Sequence, residues 1–247
     1  MKKQLLIVAL FLITVAAHSQ QEFNMPWKDS AYPIIIDPYE GNDINFDKMS
    51  ADTRVIAILH RASKGLKKDN KYSIRKGIAL QRGYKWGAYH LGLAGEPAAQ
   101  ADFYLSVVGS DSACLLALDI EGLDTSKYMS LHDAQIFIAR VYEKTGRYPL
   151  LYCNFSVLTE INRLFSDTSI FSKCGLWYAR YRSNIPAFDN KVWNTYTLWQ
   201  FSCELNCSQT DHCLYNVPGT DRFMDINIFF GSVADLKNRW PDIGKIK

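Results

Sequence analysis

Short apolar runs alternate with amphipathic segments along most of the chain. Eight runs of strand length, rich in β-branched and aromatic residues, predict β-strands at 32–37, 55–62, 85–91, 114–121, 149–154, 175–181, 197–201 and 222–227. Between the early runs, helical periodicity covers 71–82, 97–108 and 131–145. In the last of these helices, four residues are expected to mark the buried face: Ile136, Ala139, Val141 and Tyr142.

The order of these elements indicates the fold class. Strands that alternate with helices in one chain are typical of an α/β protein with a parallel sheet, and eight strands favour a closed barrel. The helical pattern fades after residue 181. We therefore predict a modified TIM-like (β/α) barrel with about eight strands and fewer helices in its second half. No linker or repeat interrupts it, so one domain is expected over 32–247, after an N-terminal extension over 20–31.

The first residues have a different character from the rest. Lys2 and Lys3 precede an apolar stretch over 5–17 that only Thr14 interrupts. Thirteen residues are short for a membrane span, which needs about twenty. A small-x-small cleavage pattern, Ala17-His18-Ser19, follows the stretch. These features predict a signal peptide over 1–19 and a protein exported to the periplasm or the cell exterior. An uncleaved membrane anchor is the alternative.

Composition narrows the classes of partner. The 247 residues include 28 basic and 25 acidic side chains, a net charge of +3. This balance lacks the basic surplus of a nucleic-acid-binding protein, so we expect no nucleic-acid partner. We also expect a monomer without stable membrane association once the signal peptide is removed.

Six cysteines follow the predicted signal peptide. Three of them fall in a polar segment, 203–219, which looks like a Cys-rich loop insertion between the last two strands. Because export permits oxidation, at least one disulfide is predicted among these three. Cys114 and Cys153 lie in strand-like runs and are expected to be buried thiols. An alternative is a zinc site, although the spacing matches no standard finger; it would use Cys203, Cys207, His212 and Cys213.

Carboxylates are concentrated at predicted strand ends. Residues at the C-terminal ends of barrel strands meet at one mouth, and four acidic residues hold such positions: Asp37, Asp119, Glu121 and Asp225. Asp119 and Glu121 are two residues apart on one strand, so they share a face. Repulsion between them raises one pKa, and a carboxyl group that keeps its proton can act as a general acid. Such pairs hydrolyse glycosidic bonds. A solvated acidic strand end and a metal site are the alternatives.

Other polar and aromatic residues at the strand ends are candidates for binding a sugar substrate: Arg61, Tyr89, His90, Tyr152, Tyr181 and Gln200. An aromatic ring suits the C–H face of a sugar. Gln200 can bond an acetamido group or a catalytic carboxylate, and Arg61 can neutralise the acidic residues. Barrel packing is the competing interpretation for the tyrosines, and a packed, hydrogen-bonded ring is the one for His90.

Seven short motifs, in order along the chain, resemble those of the glycoside hydrolase family 25 lysozymes, the Chalaropsis-type N-acetylmuramidases. Each is weak alone, and their order makes the resemblance specific. They are Ile36-Asp37 with Gly41; Arg61-Ala62-Ser63 with Gly65; Gly87-Ala88-Tyr89-His90; Leu118-Asp119-Ile120-Glu121; Trp177-Tyr178-Ala179-Arg180-Tyr181; Leu198-Trp199-Gln200-Phe201; and Met224-Asp225-Ile226-Asn227 with Phe229.

This resemblance implies a lysozyme that hydrolyses the β-1,4 bond between N-acetylmuramic acid and N-acetylglucosamine in peptidoglycan, with no metal or organic cofactor. By position, Glu121 would be the general acid. Asp119 would stabilise the positive transition state or orient the substrate's acetamido group. Asp37 and Asp225 would complete the acidic group. Whether hydrolysis inverts or retains the anomeric configuration stays open at this stage.

Two positions depart from the family pattern. Tyr39 stands where the family usually has a small polar residue, and Lys64 stands where it has an acidic or amide residue. These departures support one alternative function, a non-catalytic protein that binds cell-wall glycan on a degenerate barrel. A glycan deacetylase is a weaker alternative, because it needs metal-ligating histidines beside an aspartate and the chain has none paired at short spacing after the signal peptide: His60, His90, His132 and His212.

Overall fold

The computed structural model describes residues 25–185 and 190–245, so the predicted signal peptide lies outside the described residues. In chain order the strands are β1 (Ile34–Ile36), β2 (Val55–Lys64), β3 (Lys67–Lys68), β4 (Lys85–Leu91), β5 (Leu115–Ile120), β6 (Leu150–Asn154), β7 (Leu176–Ala179), β8 (Leu198–Ser202) and β9 (Ile226–Phe229). The helices are α1 (Phe46–Met49), α2 (Tyr72–Gln81), α3 (Pro97–Val108), α4 (Leu131–Thr145), α5 (Phe155–Leu164), α6 (Glu204–Thr210) and α7 (Val233–Arg239).

Eight of these strands close into a barrel. The order around it is β1-β9-β8-β7-β6-β5-β4-β2, and parallel pairing of β1 with β2 completes the circle. The short β3 only forms a hairpin with β2. The prediction of an α/β barrel with about eight strands is confirmed.

The last barrel strand corrects the prediction of a parallel barrel. β9 runs antiparallel to both of its neighbours, β1 and β8. It also begins at Ile226, later than the predicted start at residue 222. After β8 the chain stays at the same end of the barrel, through α6 and the loop that follows, and therefore enters β9 from that end. We call this end the mouth: the strands from β1 to β8 end there, β3 aside, and β9 begins there.

Side-chain alternation along the strands divides the core into two layers. In β1, Ile34 and Ile36 pack outward against the helices, whereas Ile35 points into the barrel. The barrel interior is filled by a second cluster that includes Ala57, Leu59, Leu115, Ala117, Leu150, Leu198 and Phe229. Residues after β9 join this cluster and close the end opposite the mouth: Leu236, Trp240 and Ile243.

The outer helices have clear end signals. At the start of α4 the Ser130 hydroxyl accepts a hydrogen bond from the Asp133 backbone N–H at 3.1 Å, and Gly146 ends the helix with a φ of 67°. The predicted buried face of α4 is wrong except for Val141, because Ile136, Ala139 and Tyr142 are exposed. The buried residues follow the i, i+3, i+4, i+7 spacing instead: Ala134, Phe137, Ile138 and Val141.

The second half of the barrel has a thinner helical layer, as predicted: α6 and α7 have only seven residues each. The N-terminal segment covers part of the gap. Trp27 is buried, stacks on the Phe201 ring at 4.5 Å between centroids and meets Trp199 edge-on at 5.9 Å. Residues 25–31, predicted to be an extension, therefore contribute to the outer layer beside β8.

The cysteines fall into two classes: two form a disulfide in the 203–219 insertion, and the others are free thiols. Cys207 and Cys213 form a disulfide, which confirms the prediction of at least one bond within the 203–219 insertion. Because this bond consumes two of the four groups, the zinc alternative lacks its ligands. The remaining cysteines are free and buried, as predicted for the first two: Cys114, Cys153, Cys174 and Cys203.

Within the described ranges, no helix is both long enough and apolar enough to cross a bilayer.

Candidate active site

The alternation of the strands carries carboxylates into the mouth. In β5, Leu115 and Ala117 point into the barrel, and the same phase continues to Asp119 and then Glu121. In β1 the interior phase runs from Ile35 to Asp37 in the same way. The polar residues therefore follow directly from the apolar interior, without any special turn.

Asp225 reaches the mouth by a different route from the one predicted. It comes immediately before β9 instead of at a C-terminal strand end. Because β9 is antiparallel, its beginning lies at the mouth beside the end of β1. The Asp37 backbone N–H donates to the Asp225 carbonyl at 3.1 Å, which ties the two acidic residues together.

A pocket of about 510 Å³ opens at this mouth, and we call it the mouth pocket. Its lining includes Tyr39, Glu121, Tyr181, Glu204, Phe223 and Asp225. Asp37 and Asp119 are each only 5% exposed, and Asp225 raises the pKa of both. The structure thus brings the four predicted carboxylates into one electrostatic group.

Asp37 is the end point of a directed hydrogen-bond network. The Tyr152 and Tyr181 hydroxyls donate to Gln200 Oε1 at 2.9 and 3.0 Å, which turns the Gln200 amide nitrogen toward Asp37 Oδ2 at 2.8 Å. On the other side, Asn227 Nδ2 donates to Asp37 Oδ1. Of the two partners expected for Gln200, the structure shows the carboxylate.

The same network affects the pKa of Asp37. Burial, reinforced by the charge of Asp225, raises its pKa above the ordinary value, and the amides of Asn227 and Gln200 lower it. Trp177 Nε1 donates to Asn227 Oδ1 at 2.6 Å and so fixes which end of that amide faces Asp37. Both oxygens of Asp37 accept hydrogen bonds, an arrangement that suits the ionised form.

Asp119 carries a polar atom without a partner. Its Oδ1 is buried and accepts no hydrogen bond from any residue the structure describes. Burial raises the pKa of Asp119, as does the charge of Glu121, while Arg61 lowers it. A buried acceptor without a donor is costly, so this atom is suited to receive a hydrogen bond from a ligand in the pocket.

Glu121 and Asp225 also have raised pKa values, for different reasons. Partial burial raises the pKa of Glu121, and the cations of Lys64 and Arg61 oppose the shift. Burial and the charges of Glu121 and Glu204 raise the pKa of Asp225 to about 7. A carboxyl group with a raised pKa, beside other carboxyl groups, is what acid catalysis requires.

Asn154 holds the end of β5 in position. Its side-chain nitrogen donates to the Glu121 carbonyl at 2.8 Å, and its Oδ1 caps α5 by accepting from the Val157 N–H at 3.1 Å. One side chain therefore connects the start of a helix to the backbone of Glu121.

The remaining predicted residues are distributed between the mouth and the core. Tyr89 is buried under the carboxylates, edge-on to Trp177, and the charges of Asp37 and Asp119 add to burial in raising its pKa. Arg61 lies behind the pocket wall, where its Nε is 3.3 Å from Asp69 Oδ2.

His90 is not part of this group. It follows the interior-facing Tyr89 and therefore points outward. Its fully buried ring stacks on Phe137 at 4.9 Å and bonds Ser63 at 2.8 Å and Gln100 at 3.0 Å. Burial lowers the pKa of His90 to about 4, so the ring is neutral at pH 7. The packed interpretation describes this residue, and a substrate contact does not.

Four residues of the site were not among the predicted site residues. Asn227 and Trp177 belong to the motifs that carry the family resemblance, and they complete the network on Asp37. Asn227 is two residues beyond Asp225 and therefore in the same phase. Tyr39 and Glu204 line the mouth pocket. Neither belongs to a strand, so alternation gives no signal for them.

Comparison with known proteins gives consistent results. The model of the family "Glycosyl hydrolases family 25" matches residues 36–210. A comparison with curated protein sequences finds no match. Among solved structures, a bacterial lysozyme from Streptomyces coelicolor is similar with a TM-score of 0.70 and 23% identity, covering 87% of this chain and 100% of its own.

Two further structures share the fold. A family GH25 lysozyme from Aspergillus fumigatus has a TM-score of 0.64 at 22% identity and covers 87% of this chain and 100% of its own. The spore cortex lytic enzyme SleM from Clostridium perfringens has a TM-score of 0.67 at 23% identity and covers 83% of this chain and 69% of its own. The family model spans most of the barrel and both members of the Asp119–Glu121 pair. The chain therefore belongs to family 25 of the glycosyl hydrolases and is a glycoside hydrolase.

Proposed function

We propose that this protein is an exported lysozyme that hydrolyses the β-1,4 bond between N-acetylmuramic acid and N-acetylglucosamine in peptidoglycan. Family membership supports peptidoglycan as the substrate. The observation that carries the proposal is the convergence of four carboxyl groups with raised pKa values at the open end of the barrel. Export rests on the signal-peptide pattern of residues 1–19 alone.

In this proposal Glu121 is the general acid. Unlike Asp37 and Asp119, its side chain is exposed, so it can reach a glycosidic oxygen held in the mouth pocket. Partial burial raises its pKa, which is the direction that donation of a proton to the leaving group requires. Proton transfer to that oxygen breaks the glycosidic bond while positive charge develops on the sugar ring.

Asp119 and Asp37 lie deeper in the barrel than Glu121 and stabilise the same transition state. The free Oδ1 of Asp119 can accept a hydrogen bond from the acetamido N–H of the substrate or face the developing positive charge. Asp37 is held in one orientation by hydrogen bonds from Gln200 and Asn227, so it faces the transition state without rearrangement of its own side chain. Asp225 retains a proton up to about pH 7 and limits the total negative charge of the group.

A non-catalytic wall-binding protein is the second candidate, favoured by Tyr39 and Lys64. The arrangement of the site argues against it. Lys64 acts on Glu121 only by lowering its pKa, and it removes none of the four carboxyl groups. Tyr39 lines the pocket without filling it.

The deciding experiment compares wild type with Glu121→Gln on purified insoluble peptidoglycan. We expect wild type to release soluble fragments and new reducing ends. The variant should lose about a hundredfold to ten-thousandfold in rate, because it cannot donate the proton, yet should still sediment with the polymer. Glu143→Gln is the matched control, since Glu143 lies on the surface of α4 and pairs with Arg140.

Wild-type activity in Glu121→Gln contradicts the role of this residue. Binding without fragment release by wild type supports the second candidate instead.

A further inference from the structure

Tyr39 is the exposed aromatic residue of the mouth pocket. Four aromatic side chains line it, and the other three are buried or half-buried: Tyr152, Tyr181 and Phe223. Two of these already use their hydroxyls on Gln200. Tyr39 is 42% exposed and lies two residues after Asp37, on a wall shared with Glu121 and Asp225.

The backbone of Tyr39 is held firmly for a residue in a loop. Its N–H donates to Asn42 Oδ1 at 2.9 Å, and its carbonyl accepts from the Arg75 guanidinium at 2.9 Å. Arg75 is itself buried, and its Nη1 also lies 3.1 Å from His60 Nε2. The position of Tyr39 is therefore connected to the core.

The ring is supported as well. The Arg61 guanidinium lies over it at 4.6 Å, and Arg61 itself forms ion pairs with Asp69 at 3.3 Å and Glu40 at 3.9 Å. Gly41 packs against the ring so closely that an added Cβ would overlap the ring carbons and the hydroxyl. An aromatic surface held in this way loses little conformational freedom when a ligand covers it.

We propose that Tyr39 is a substrate-binding residue that stacks on the apolar C–H face of a pyranose ring next to the scissile bond. The inference rests on the proposed function, because it concerns a further contact to the same glycan. The exposed ring lines the same pocket as the proposed acid, and the Arg61 guanidinium lies over one of its faces.

The test measures kcat and KM on peptide-free glycan strands, together with sedimentation on insoluble peptidoglycan. Tyr39→Ser should raise KM about tenfold and leave kcat within about twofold, because the stacking contact is lost while the carboxylates stay in place. Tyr39→Phe keeps the ring and should stay within about twofold in both constants. Tyr142→Ser, at an equally exposed tyrosine of α4, should behave as wild type.

Gly41→Ala provides a second way to disturb the Tyr39 ring. The added methyl group displaces the ring without removing it, so KM should rise here too. Thermal denaturation of each variant verifies that the barrel is folded.

A wild-type KM for Tyr39→Ser overturns the inference. So does an unchanged KM with a shifted pH profile, since that result would mean that Tyr39 only shields Arg61 beside Glu121 and Asp119.

Failure of the proposed function gives a different pattern, in which wild type itself releases no reducing ends. In that event sedimentation still decides the matter. Weaker binding by Tyr39→Ser than by wild type supports stacking of a sugar on Tyr39, and equal binding refutes it.

Discussion

The two ends of the barrel interior are built by the same strands but have opposite properties. At the closed end, Leu115, Leu150 and Leu198 pack with Trp240 and Ile243 into an apolar cluster. Two to six residues further along the same strands, the interior positions are taken by Asp119, Glu121 and Gln200.

The two ends therefore have different roles: the closed end stabilises the fold, and the mouth holds the residues proposed to act in catalysis. Apolar burial at the closed end favours folding. At the mouth, burial opposes ionisation and raises the pKa of all four carboxylic side chains. The closed end thus stabilises a scaffold on which the mouth can hold carboxyl groups in an unfavourable environment, as expected of an active site.

The largest expected effect in this comparison comes from Asp119→Asn at the mouth. The substitution keeps the shape and removes the negative charge, so kcat should fall about a hundredfold to a thousandfold while the melting temperature holds or rises. Asp102→Asn is the control, because Asp102 is a surface residue of α3 that pairs with Arg140. A wild-type kcat in Asp119→Asn would break the assignment of chemistry to the mouth.

The complementary change is Leu150→Ala at the closed end. Leu150 is 1% exposed and packs where Gly175 and Gly244 approach each other. Loss of its side chain should reduce the free energy of unfolding by about 2–5 kcal/mol, measured by chemical denaturation.

At 25 °C the kcat of Leu150→Ala should remain near that of wild type, because the mouth is untouched. Leu80→Ala, at an exposed leucine of α2, should change the free energy of unfolding by less than about 0.5 kcal/mol. A large loss of kcat in a folded Leu150→Ala protein would show that the two ends are not separable.

A smaller effect is expected from Asp225→Asn, and it depends on pH. Folding raises the pKa of Asp225 from its ordinary value of 3.8 to about 7, so the folded state favours the protonated form. The stabilisation from that proton is complete below pH 3.8 and disappears as the pH rises to about 7.

Asparagine stays neutral throughout, so the free energy of unfolding of the variant should rise relative to that of wild type as the pH increases across this interval. We expect Asp225→Asn to be about 2 kcal/mol more stable than wild type at pH 8 and nearly equal to it at pH 3.5, by denaturation at both pH values. A difference that does not vary with pH would show that Asp225 is not the group that holds this proton.

Much of the scaffold was predictable from the chain because strand alternation is a local property. The bounds of β4, α3 and α4 agree with the predicted segments. The direction of β9 was not predictable, because the period of a strand is the same whichever way it runs. It depends on the path of the 203–219 insertion, which periodicity does not describe.

Alternation along the strands also predicts the part of the site that the strands carry. The four carboxylates continue the interior phase of strands or adjoin it, so they could be found. The outward orientation of His90 was also present in the pattern, since its neighbour Tyr89 is in the interior phase. Tyr39 and Glu204 come from loop and helix, and only the tertiary structure brings them to the pocket.

Analysis of the reaction products shows which glycosidic bond of peptidoglycan this protein hydrolyses. Wild-type protein is incubated with purified peptidoglycan, the new ends are reduced with borohydride, and the fragments are identified by mass spectrometry. We expect reduced muramic acid at the ends of the new fragments and no new fragments from Glu121→Gln. Reduced glucosamine at those ends, or intact polymer after incubation with the folded wild-type protein, would contradict it.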